Sequence, residues 1–166
     1  MSAPTGIDYD ARKHSPRLAY GMAKAAALAY KDEATVAVTA REWGFDRVCH
    51  HHTRLTPPFP LEDTQACTVA SDKMITTGFR GTEPAQIRDW LSGATTPPYP
   101  GPASTGYIHY GCGQALDSVF PAVKEAVADL RDKDQSVWFT GHSLGGAPAM
   151  PAGCRNYPSS APSATT

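Results

Sequence analysis

The sequence predicts an α/β fold, with helices packed on a central sheet that is mostly parallel and carries an antiparallel hairpin in its N-terminal part. Three observations carry this. An apolar stripe at helical period over residues 114–131 is followed, after a polar link, by the short apolar run Val137, Trp138, Phe139, Thr140. Helix, link and buried strand make the second half of a crossover between parallel strands. Two strand-like runs, 65–70 and 74–79, are separated only by Ser71, Asp72 and Lys73, the length and polarity of a hairpin turn. A glycine-rich turn follows the run that ends at Thr140. At 166 residues the chain is the size of one domain.

In chain order, residues 16–31 read as a helix, because Leu18, Met22, Ala25, Ala26 and Ala29 recur at helical spacing and Pro16 suits a first turn. Residues 35–45 open on the β-branched Thr35, Val36, Val38 and Thr39, which fit a short strand or a second helix. Cys49, His50, His51 and His52 are adjacent, so they cannot all converge on one tetrahedral ion; a solvated loop is expected there. The proline-rich residues 56–60 predict a loop. Residues 95–106 contain Pro97, Pro98, Pro100 and Pro102 with Gly101 and Gly106, and predict an irregular surface loop of the kind that carries lids. The stripe of 114–131 presents Ala115, Leu116, Val119, Phe120, Val123, Val127 and Leu130 opposite Asp117, Lys124, Glu125 and Asp129. A kink or restart is expected at Pro121. Beyond 147, Pro148, Pro151, Pro158 and Pro162 stand among Ala, Ser and Thr. That composition builds no core, so 1–147 is expected to be the folded portion and 148–166 a disordered or out-of-frame tail.

Bulk properties remove several function classes. The formal net charge is -1 and no basic stripe could neutralise a run of phosphates, so nucleic acid is not expected as a partner. No stretch approaches the length of a membrane span, and no integral membrane segment is expected. The opening residues have neither a cationic start nor an apolar run, and Cys49, Cys67, Cys112 and Cys154 lack paired spacing; reduced thiols and a cytoplasmic location are the expectation.

The chemistry is concentrated in Thr140-Gly141-His142-Ser143-Leu144-Gly145-Gly146-Ala147. Its Gly-x-Ser-x-Gly pattern follows a predicted strand, the context in which that pattern marks the turn of a serine esterase. Gly141, Gly145 and Gly146 leave room for the chain to reverse from strand to helix around Ser143. The turn lifts the Ser143 hydroxyl above the sheet, where a helix N-terminus favours developing negative charge, and the N–H of Leu144 is one candidate oxyanion donor. His142, inside the turn, should point away from the Ser143 hydroxyl and act structurally.

These residues resemble the class 3 lipase family, a fungal-lipase-like group of the α/β-hydrolase superfamily. Phe79-Arg80-Gly81-Thr82 looks like the family's oxyanion motif, Asp89-Trp90 like its acidic-aromatic pair, and Val137 to Ala147 like its strand and nucleophile turn; His109 followed by Gly111 is a looser echo. The resemblance extends over about residues 18–147. It implies a partial α/β-hydrolase fold, Ser143 as nucleophile, Leu144 and Thr82 as oxyanion donors, a lipid or small ester as substrate, and neither metal nor organic cofactor. Arg80 and Asp89 are expected to brace the loop, and Trp90 to pack.

In this fold the catalytic acid and base follow the serine along the chain, yet no Asp, Glu or His follows Ser143 here. The sequence therefore predicts a lipase-type serine hydrolase crippled by loss of its downstream partners. The other reading is a non-catalytic, lipase-like chain that binds acyl ligands or another chain, with self-association through an exposed sheet edge.

Overall fold

The computed structural model describes residues 15–54, 63–81, 97–101 and 106–156. Helix α1 (Pro16–Leu28) starts where Ser15 accepts the N–H of Leu18 at 3.1 Å, with Pro16 in its first turn. It ends earlier than the spacing predicts, at a turn holding Ala29 and Tyr30. The ambiguous stretch after it is a helix, α2 (Glu33–Glu42), because the Asp32 carboxylate accepts from Thr35 N at 2.9 Å and fixes its first turn.

Strand β1 (Arg47–Arg54) corrects the expectation of a loop around the histidines. The polar run pairs antiparallel with β2 (Asp63–Ala70), and alternation sends only His51 inward, where it is 7% exposed. Its Nε2 lies 2.9 Å from Thr68 Oγ1, which in turn lies 2.9 Å from Thr77 Oγ1. A hydrogen-bonded polar ladder thus crosses three strands inside the core, which is what makes an inward histidine tolerable. The hairpin of β2 and β3 (Met74–Phe79) is as predicted, with Ser71 and Met74 closing its turn.

Residues 95–106 are not wholly irregular. Tyr99–Pro100 (β4) pairs with Tyr107–Ile108 (β5), and the Tyr99 hydroxyl binds Asp117 while its ring covers Gly113. Helix α3 (Tyr110–Leu130) runs unbroken through Pro121, so the expected restart is absent; Leu116, Val119 and Val123 are fully buried. Strand β6 (Ser136–Gly141) then pairs parallel with β3.

The strand order is β1-β2-β3-β6. Among the described residues the parallel pairing lies at β3–β6, and the antiparallel part comprises β1, β2 and β3 rather than the expected hairpin alone. Alternation on the strands splits the core in two. Cys67, Val69 and Met74 face α1 and α2 with Leu18, Val36 and Phe45; Ala66, Ile75 and Phe79 face α3 with Leu116 and Val119. The result is a sheet between two helical layers.

The predicted tail also needs correction. Residues Gly146–Asn156 form helix α4, which contains Pro148 and Pro151. Pro148 falls in the first turn, where a missing N–H leaves little unsatisfied. Pro151 is interior, but Ala149 and Ala152 pack into the α3-side core, and that burial overrides the poor propensity.

Candidate active site

The register of the parallel pair sets the site. Phe79 of β3 stands beside Gly141 of β6, so the segments leaving both strands at their carboxyl ends emerge side by side. That end of a parallel pair is where α/β sheets present loops to ligands. On one side come Arg80 and Gly81; on the other come His142 and Ser143. Thr82, Asp89 and Trp90 lie outside the described residues, so their expected roles have no geometry here.

Ser143 lies two residues beyond β6 and opens a single 3-10 turn, Ser143–Gly145, that runs into α4. Its φ is 55°, the left-handed region, and among the described residues no other side-chain-bearing residue has a positive φ. That conformation costs about 1–3 kcal/mol and persists only where the surroundings enforce it. The enforcement is steric. A Cβ at Gly141 would overlap the Gly145 carbonyl, and one at Gly145 would overlap the Phe79 carbonyl, so both positions require glycine for close backbone approach. Gly146 is looser, its nearest neighbour being the Gly141 carbonyl at 3.5 Å.

The bend leaves Ser143 exposed at the surface and Leu144 half-buried. The first hydrogen bond of the turn runs from Gly145 N–H to the His142 carbonyl at 2.9 Å. The N–H groups of Ser143 and Leu144 precede it and have no partner inside the helix, which makes that end of α4 electropositive.

The histidines have other engagements. His142 Nδ1 lies 3.2 Å from the Tyr30 hydroxyl, and its ring meets Tyr30 edge-on at 5.9 Å. His109 caps α3 by accepting Gly111 N–H at 3.1 Å. His51 sits in the core, where burial holds its pKa below the ordinary 6.5. Burial also pushes the Cys67 thiol up to about 11, far from a competing nucleophile. Among the described residues no group of three or more His, Cys, Asp or Glu could hold a metal ion. Arg80 donates to Gln65 Oε1 at 2.8 Å and stands over the Tyr30 ring, 5.6 Å from its centre. Tyr30 is the contact residue that sequence reading missed; it was legible only as the end of an alanine-rich helix.

Residues 76–155, from within β3 to near the end of α4, match the family profile described as lipase (class 3). In that segment the chain is similar to class 3 lipases. A crystal structure of Lip2 lipase from Yarrowia lipolytica has the same fold, with a TM-score of 0.50, 18% identity, and coverage of 85% of this chain. The chain spans about half of that lipase, 54% of its length. No curated protein matches the chain. The fold is thus of the α/β-hydrolase type, and within the class 3 lipase segment lie the end of β3, all of β6 and the Ser143 turn. Among the described residues no helix is long and apolar enough to cross a membrane.

Proposed function

We propose that this chain carries the nucleophile half of a carboxylic ester hydrolase of the triacylglycerol lipase type, acting on a lipid or small ester without a cofactor. The observation that carries the reading is Ser143, held at φ 55° between a parallel strand and a helix N-terminus. In this reaction the Ser143 hydroxyl oxygen adds to the ester carbonyl carbon and gives up its proton. The carbonyl oxygen becomes an oxyanion facing the N–H groups of Leu144 and Thr82. Collapse expels the alcohol and leaves an acyl-serine, which water cleaves to the acid and free Ser143.

A general base takes up this proton and returns it to the departing alcohol. Hydrolysis of a p-nitrophenyl ester should fall to the buffer rate in Ser143→Ala; equal rates for the two proteins would remove Ser143 from the reaction.

An apolar groove beside the turn supports a second reading, a non-catalytic chain that binds acyl groups or another chain. Its site would be the apolar groove of about 510 Å³ along α1 and β6, lined by Leu18, Met22, Trp138 and Phe139 and reaching His142. There β6 is the last strand of the described sheet, an edge open to self-association. Failure of a fluorophosphonate to label Ser143 would favour this second reading.

A further inference from the structure

Resting on the serine-hydrolase reading, we propose that Tyr30 is a positioning residue of the site. Its hydroxyl ties the segment leaving β3 at Gly81 to the turn leaving β6 at His142, and so fixes the spacing of the two segments that meet beside Ser143.

Tyr30 lies two residues beyond α1, and α1 is itself locked to both parallel strands. A Cβ at Gly78 of β3 would sit 3.0 Å from the Ala25 carbonyl oxygen, and Thr140 Oγ1 of β6 donates to the Met22 carbonyl at 3.1 Å. The tyrosine therefore arrives from a helix with little freedom to slide. Its oxygen accepts the Gly81 N–H at 3.1 Å and stands 3.2 Å from His142 Nδ1. A phenol has one proton and two lone pairs, so it can serve both partners whichever imidazole tautomer is present. The guanidinium of Arg80 lies over the ring and fixes its plane. Gly81 is held against the same atoms: a Cβ there would overlap both the Tyr30 hydroxyl and the His142 carbonyl.

The next atom along the chain from the Gly81 carbonyl carbon is the amide nitrogen of Thr82, the second oxyanion donor of the proposed reaction. Oxyanion stabilisation depends on donors fixed before charge develops. A tether at Gly81, bonded at its other side to the nucleophile turn, couples the segment that leads to one proposed donor with the turn that carries the other.

Tyr30→Phe keeps the ring and its stacking and removes only the tether. Amide hydrogen exchange at Gly81 should accelerate about tenfold, the worth of one hydrogen bond of this kind. For p-nitrophenyl butyrate, kcat should fall about tenfold with KM within about twofold, since a misaimed donor is felt in the transition state. The thermal midpoint should stay within a few degrees. Unchanged Gly81 exchange, unchanged kcat, or a loss confined to KM would each overturn the proposal. The Ser143→Ala control run alongside separates the cases: if it turns over as fast as the parent, the serine reading itself has failed.

Discussion

At Ser143 the side chain that gives the turn its chemistry also gives it strain. Glycine populates a φ of 55° without penalty, so Ser143→Gly should stabilise the fold by about 1 kcal/mol while removing the hydroxyl. A urea titration of the two proteins measures this, and a midpoint lowered by the substitution would mean that the backbone there is not strained. The glycines around the serine were legible because their spacing encodes a steric demand within a few residues. Tyr30 was not, because its partner His142 is 112 residues away and nothing local distinguishes it from any aromatic at a helix end.

Among the elements, α1, α3, β2, β3 and β6 were readable because each presents a clean period or a clear turn. Strand β1 was not: its Cys-His-His-His run shows neither apolar alternation nor β-branched enrichment, and only pairing with β2 reveals that His51 alone turns inward. Helix α4 failed for the opposite reason, since its prolines argue against a helix that packing enforces. Interior proline costs about 3 kcal/mol relative to alanine, whereas burying its extra carbons returns about 1–2 kcal/mol. Pro151→Ala should therefore stabilise the protein by about 1–2 kcal/mol, provided the cavity closes. Chemical denaturation monitored by circular dichroism reads this directly, and a destabilised variant would show that the buried proline ring outweighs the helix it interrupts.

For the molecule as a whole, His51 makes the fold acid-sensitive. Burial, reinforced by the neighbouring His50, holds its folded pKa below 6.5. The unfolded chain thus takes up a proton that the folded chain refuses, and stability present above that value is lost as pH falls through the interval below it. Between about pH 7.5 and pH 5 the urea midpoint should fall, and His51→Gln should flatten that dependence while keeping a partner for Thr68. A dependence of the same steepness in the variant would assign the effect elsewhere. Asp32 and Asp132 act lower: hydrogen bonds from Thr35 to one, and from Gln135 and Arg47 to the other, hold both carboxyls below 3.8, so their contribution disappears only in stronger acid.

The side-by-side exit of β3 and β6 also dictates an order of events as the chain folds. The β1–β2–β3 meander and α3 are built from contacts between near neighbours and can assemble early. Joining Met74 to Ser136 closes a loop on the order of 60 residues, an entropic toll of about 3–4 kcal/mol that must be met before any interaction across the seam repays it. A nascent polypeptide that has emerged as far as α3 thus owns a sheet but no reactive corner, and the strained hydroxyl comes into being only at the late zipping of that last pair.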